Sequence, residues 1–208
     1  MRKQLFVLLL LCVSPIIGQQ SDTLNIDKFL LTGKFDKVIE ILSAKDSLSA
    51  EEHFKLGKAF MSLMQYPEAG IHYSKAVRED ANNPVYLYAL AGAYELMNKP
   101  VMAKYFFERV LKTDSSNISA KIKLAKSLLD IRNYKEAEKL YTEMVERDSS
   151  NDYFINRLGF CKIKNGDTTS ALRLFNYAFG KGIIGPKTAL LLAKIYFGKG
   201  EYDSALKV

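Results

Sequence analysis

A period of 34 residues constrains this chain more than any other feature it carries. Leu56, Leu90, Leu124, Leu158 and Leu192 form one column at that spacing. The following position holds only small residues: Gly57, Ala91, Ala125, Gly159 and Ala193. A third column is alanine throughout, at Ala69, Ala103, Ala137, Ala171 and Ala205. A fourth is aromatic, at Tyr73, Phe107, Tyr141 and Phe175, and no insertion breaks the register from Ser49 onward. Such a period marks a solenoid, whose units are too small to bury an apolar face alone and stack on one another. Within residues 123–151 the pattern reads as two amphipathic helices folded back by a short turn. Antiparallel helices approach closely only where both offer small side chains, with leucines and aromatics filling the space on either side. The expected fold is therefore all-α.

Turn and cap residues support the same register. Ser49-Ala50-Glu51-Glu52 is a capping box, in which hydroxyl and carboxylate satisfy free N–H groups at a helix start. Later units open at Asn83-Pro84, Asn117, Asn151 and Gly185-Pro186, where Asn supplies an acceptor and Pro a preset φ. Pro67 and Pro100 fall near the starts of second helices. Upstream, Gly33-Lys34-Phe35-Asp36 looks like the turn into a second helix carrying Val38, Ile39 and Leu42, and Ser21 is placed to cap a helix from about Leu24. This first unit joins the array at less than the full period, as terminal repeats do.

These columns resemble those of the tetratricopeptide repeat (TPR) family, whose pattern is an aromatic, Leu-Gly, Tyr, Ala with an aromatic four residues on, then Pro. The first regular unit reads His53, Leu56-Gly57, Phe60, Ala69, Tyr73; no unit carries Trp, and the closing Pro is absent. The resemblance spans about residues 21–208 and implies a right-handed α-solenoid of antiparallel helix pairs. It also implies a concave groove, formed by the first helices, that holds protein or peptide ligands. It names no partner, because the fold hosts many. The expected organisation is a signal peptide at 1–18, an irregular helical repeat at 19–48, and five units over 49–208. The joins fall at 83/84, 117/118, 151/152 and 185/186, and the last unit is incomplete.

Met1 to Gly18 has the layout of a secretory leader: Arg2 and Lys3, an apolar run from Leu5 to Val13, then Ser14-Pro15 and a small residue at Gly18. The apolar stretch from Leu5 to Ile17 is 13 residues, short of the roughly 20 that span a bilayer. Leu11 precedes Cys12 where a lipoprotein signal has a small residue, which argues against lipidation. Export to a Gram-negative periplasm or outer envelope follows as the expected location. Removing the leader leaves Cys161 as the one cysteine, in a column with Ala59, Ala93 and Ser127, where a thiol serves as a small apolar filler. Thirty Lys and Arg against 23 Asp and Glu give +7, which falls to +5 when Arg2 and Lys3 leave with the leader. That excess is spread over helix faces, with no basic stripe or module for nucleic acid.

No constellation for catalysis emerges. His53 and His72 are the only histidines, and neither has a partner at metal-ligand spacing. Gly180 to Thr188 approximates a phosphate-binding loop, but Pro186 separates Gly185 from Lys187 and no strand precedes it. Asn117-Ile118-Ser119 matches a glycosylation sequon, yet Asn117 already serves as a helix cap. The expectation is a protein that is not an enzyme, takes no cofactor or small-molecule substrate, and meets membranes only indirectly.

One stripe exceeds what packing needs. On successive first helices it comprises Phe54, Lys58, Met61; Tyr88, Gly92, Glu95; Ile122, Lys126, Leu129; Asn156, Phe160, Ile163; and Leu190, Lys194, Phe197. The i, i+4, i+7 spacing puts each triplet on one helix face, the face that lines the groove in the resembled family. The carboxylate clamp of some family members is not matched, since Phe54, Tyr88 and Ile122 stand there. Lys58, Lys126 and Lys194 recur every second unit, so the expected ligand is a protein segment alternating acidic and bulky apolar groups. Two other roles fit the same chain: the sensory input segment of a longer membrane protein, or the non-catalytic N-terminal part of an enzyme.

Overall fold

A computed structural model describes residues 25–208, all helix and connection. The leader, its cleavage point and the Ser21 cap lie outside the described residues. Contacts divide the chain into two compact units, one through Lys99 and one from Pro100. The first contains α1 (residues 25–31), α2 (Phe35–Ser43), α3 (Ala50–Ser62), α4 (Tyr66–Glu79) and α5 (Pro84–Leu96). The second contains α6 (Pro100–Thr113), α7 (Ile118–Asp130), α8 (Tyr134–Arg147), α9 (Asp152–Lys164), α10 (Thr168–Gly180), α11 (Pro186–Gly198) and α12 (Tyr202–Leu206). From α2 to α5, and from α6 to α12, each helix packs on the next, as an α-solenoid requires.

The helix starts form where the cap residues stand. Ser49 Oγ accepts from Glu52 N at 3.3 Å and Glu52 Oε2 accepts from Ser49 N at 2.9 Å, closing the capping box. Asn83 Oδ1 accepts from Val85 N at 3.0 Å, Asn117 Oδ1 from Ala120 N at 2.9 Å, and Asn151 Oδ1 from Phe154 N at 3.4 Å. Before two of these caps an aspartate ties the linker: Asp114 Oδ1 accepts from Ser116 N and Asp148 Oδ1 from Ser150 N. The turns inside the helix pairs have a period of their own. Met64, Asn98, Arg132, Gly166 and Gly200 all take positive φ, between 55° and 88°. They are spaced by the full repeat, whereas Gly33, at 72°, precedes Met64 by a shorter interval. The short first unit thus has the same turn geometry with fewer residues around it.

The leucine, alanine and aromatic columns make the core. Leu56, Leu90, Leu124, Leu158 and Leu192 are buried, as are Ala69, Ala103, Ala137 and Ala171 and the four aromatics. In the first unit Ile26, Val38, Leu42, Leu56 and Ala59 form one cluster, which carries the irregular N-terminal helices onto α3. Lys55, only 7 % exposed, reinforces that join by pairing with Asp27 at 2.9 Å and Glu51 at 2.8 Å. In the second unit Ile155, Ala171, Phe175, Ala178 and Leu192 cluster in the same way. Lys162 stands where other units have an aromatic or Leu128, and Glu138 on α8 accounts for it: its carboxylate takes Lys162 Nζ at 2.7 Å and Asn165 Nδ2 at 2.6 Å.

The small column exists because an aromatic ring lies directly on it. A methyl group built at Gly57 would come within 2.6 Å of the Tyr73 ring, and one at Gly159 would overlap the Phe175 ring. Gly92, one position further along its helix, has nothing within 4 Å of such a methyl. Gly57→Val should therefore destabilise the fold by about 1–3 kcal/mol, the usual cost of overpacking a core. Gly92→Ala should stabilise it by about 1 kcal/mol through helix propensity alone. Thermal and denaturant melts of the two variants beside wild type check both signs.

Candidate functional site

On α3, Phe54 is half-buried, with its ring centre 5.7 Å from Tyr73 and 5.0 Å from Tyr86, so it wedges α3 against α4 and α5. Lys58 Nζ lies 5.8 Å above the Phe54 ring and also borders a cleft of about 350 Å³ with Asp27, Leu31 and Phe35. Met61 is half-buried on the same helix, and Tyr88 and Glu95 are half-buried on α5.

The second unit brings more of the stripe together. A cleft of about 300 Å³ is lined by Lys126, Leu129 and Asp130 of α7, Tyr134 of α8, and Tyr153, Arg157 and Phe160 of α9. Its apolar wall is built from rings: Tyr134 meets Phe160 edge-on at 6.0 Å, and the Arg157 guanidinium lies 5.3 Å over Tyr153. Lys164 Nζ sits 5.5 Å from the centre of the Phe160 ring. Two cations and one carboxylate thus border an aromatic pocket. On the same helix Asn156 Nδ2 and Arg157 Nε are buried with no hydrogen-bond partner in the protein, a costly state for a donor unless something else satisfies it.

The remaining stripe residues divide between packing and exposure. Ile122 is half-buried, and Ile163 packs against the Ile155–Phe175 cluster. Leu190 and Phe197 are 56 % and 66 % exposed on α11, with Lys194 exposed between them. Phe197 meets Tyr202 edge-on at 5.3 Å. Tyr153 and Arg157 were missed by the sequence reading, although Tyr153, Arg157 and Phe160 share the i, i+4, i+7 spacing used for the stripe itself. Tyr134 and Asp130 flank the turn between α7 and α8, where helical periodicity stops and gives no signal.

Elsewhere the structure is structural in character. Gly180 ends α10 and Pro186 begins α11. Gly185 N donates to Asp152 Oδ1 at 2.8 Å, so the glycine-rich segment is a helix joint. No group of three or more metal-ligating side chains occurs among the described residues. No helix among them is long and apolar enough to cross a membrane.

Comparison with known proteins points one way. The family model for the anaphase-promoting complex, cyclosome, subunit 3 matches residues 62–144. An uncharacterised protein, ycf37 of Porphyra purpurea, is 27 % identical over 156 residues, covering 71 % of this chain and 87 % of that protein. An uncharacterised lipoprotein of Treponema pallidum (strain Nichols) is 30 % identical over 106 residues, 51 % of this chain and 54 % of its own length. The chain thus spans about half of that second relative. Among solved structures, YrrB, described as a TPR protein with an unusual peptide-binding site, superposes with a TM-score of 0.65. It is 21 % identical, with 83 % of this chain and 87 % of YrrB covered. Fold and repeat together define a helical-repeat protein. The chain has the α-solenoid fold of the tetratricopeptide-repeat structures it superposes on.

Cys161 is buried in the small-residue column, and burial pushes its thiol up to about 12, well above an ordinary cysteine. At pH 8 almost no thiolate forms there, so Cys161 should resist iodoacetamide in the folded chain and react once the chain is denatured. Peptide mass mapping of the labelled site before and after denaturation checks this.

Proposed function

We propose that this chain is a protein-interaction scaffold of the cell envelope, holding a protein or peptide segment on the face built from its first helices. The observation that carries the proposal is the cleft between α7 and α9, where Lys126, Leu129, Tyr134, Arg157 and Phe160 surround a space of about 300 Å³. Large aromatic groups on a solvent-open cleft mark interaction sites, because packing alone would draw them inward. The cations at the rim favour a segment in which acidic residues alternate with bulky apolar ones, Asp130 setting where an acidic group is unwelcome. Lys194 and Phe197 on α11 repeat the cation-plus-aromatic pairing further along the second unit. In the first unit Phe54, Lys58 and Met61 of α3 offer a smaller surface of the same kind.

Export rests on the leader pattern at residues 1–18, and similarity to the Treponema pallidum lipoprotein supports it. The likeness to YrrB supports a peptide as ligand.

A display library of short peptides alternating Asp or Glu with Leu or Phe, and its Lys-substituted counterpart, tests the idea by fluorescence anisotropy. Acidic members should bind and basic members should not. Phe160→Ala should weaken binding by about 2 kcal/mol, roughly thirtyfold, as for an aromatic hot spot. Lys126→Ser with Arg157→Ser should mainly slow association and flatten its salt dependence. Equal affinity of wild type and both variants would remove the cleft from the binding surface. Loss in the Phe160 variant alone would keep the cleft and remove the acidic preference.

A further inference from the structure

Away from that cleft, the chain's two histidines meet. His53 of α3 and His72 of α4 bring their Nδ1 atoms to 3.1 Å, with ring centres 5.3 Å apart. The centre separation is close to the nitrogen separation plus a ring radius at each end, so the two nitrogens face each other head-on. Lone pairs aimed along one line share a proton, whereas a metal ion needs them to converge on a third point. One Nδ1 therefore donates and the other accepts. Phe60 stacks on His72 at 5.4 Å and 16°, covering one face of that ring.

This bond accepts only a limited number of protons. In the neutral pair one Nδ1 carries hydrogen. A first added proton can enter at the other nitrogen of the donor ring, which leaves a charge-assisted bond in place. A second must take the acceptor Nδ1, and two cations then face each other with no acceptor between them. The charges around the pair do not cancel this. His53 is acted on by Lys75 and Glu79 of α4 and by Glu52 of its own helix, and His72 by Lys75 and His53. Glu52 is already engaged by Lys45, from the α2–α3 connection, at 2.6 Å. Tyr86 of α5, the next helix on α4, is a phenol raised above its ordinary value and so uncharged in acid. Burial, then the facing ring and Lys75, lower His72 to about 4, and burial with Lys75 lowers His53 as well.

We propose that the His53–His72 pair is a proton-operated latch that clamps α3 to α4 at neutral pH and releases them on acidification. The sign follows from linkage: a histidine depressed in the folded state is protonated first in the unfolded chain. Stability is complete above the ordinary value of 6.5 and is lost as pH falls from there towards about 4. The release reaches the outward face of α3, because Phe54 packs on Tyr73, the neighbour of His72 in sequence. The latch stands whether or not the cleft in the second unit binds peptide.

Melting temperature as a function of pH, for the whole chain and for His72→Phe, tests the latch. The phenyl ring retains the stack on Phe60 but has no nitrogen to bridge. Wild type should lose more of its melting temperature than the variant between pH 6.5 and about 4. Nitrogen-15 imidazole spectra of wild type add an independent reading, since the chain has two histidines. One ring should be held as the Nδ1–H tautomer at neutral pH, and the last ring to protonate should do so well below 6.5. Parallel melting profiles, or two rings titrating independently at ordinary values, would overturn the latch. Should His72→Phe fail to fold, the imidazole spectra decide alone.

Discussion

The contact on which the rest of the structure depends is that of an aromatic ring against a helix backbone stripped of its side chain. Tyr73 lies on Gly57 and Phe175 on Gly159, each so close that a single methyl group would collide. The ring fills the angle between paired helices, and the adjoining leucine and alanine columns close the space around it. Dispersion between well-fitted groups is individually small and collectively decisive, which is why the core tolerates so little change there. A small residue, glycine in two pairs and alanine in the others, recurs at this position in each helix pair, and that close approach is the physical origin of the fixed period.

Such a requirement makes the fold legible and the site only partly so. The columns read from the sequence as core are buried as far as Leu192, with Ala193 and Ala205 half-buried, because burial selects residue type and does so at the repeat interval. Helix starts were legible for a similar reason, since Ser49, Asn83, Asn117 and Asn151 each satisfy a free N–H by local chemistry. The left-handed turn residues were not. Met64, Asn98 and Arg132 hold the position that Gly166 and Gly200 hold in later units. Side chains outside glycine and asparagine carry no signature of positive φ, because tertiary packing imposes it on them. The cleft was half legible: Lys126, Leu129 and Phe160 belong to the stripe, Tyr153 and Arg157 share the helical spacing of Phe160, and Tyr134 and Asp130 are brought in only by the packing of α7, α8 and α9.

Periodicity reports what units share, so individual character has to lie in the departures from it. Lys162 in a largely aromatic column, and His53 where the resembled family has an aromatic, are each matched from an adjacent helix. Lys162 finds Glu138, whose carboxyl burial would raise but which Lys162 and Asn165 hold below its ordinary value. His53 finds His72. Both substitutions exchange a non-directional contact for a directional one that depends on charge state, and a charged pair of that kind contributes only while its partners keep their protons arranged.

The two exchanges differ in what acid does to them. Glu138 is stabilised as the anion, so its link to Lys162 persists until pH falls below the ordinary carboxylate range. The histidine bridge requires a neutral acceptor, and the ordinary histidine value of 6.5 puts its onset of loss at much milder acidity. As acid is added, the α3–α4 joint therefore begins to lose stability before the α8–α9 joint does. One repeat architecture thereby contains joints of unequal pH tolerance, set by two side chains that the repeat pattern itself does not specify.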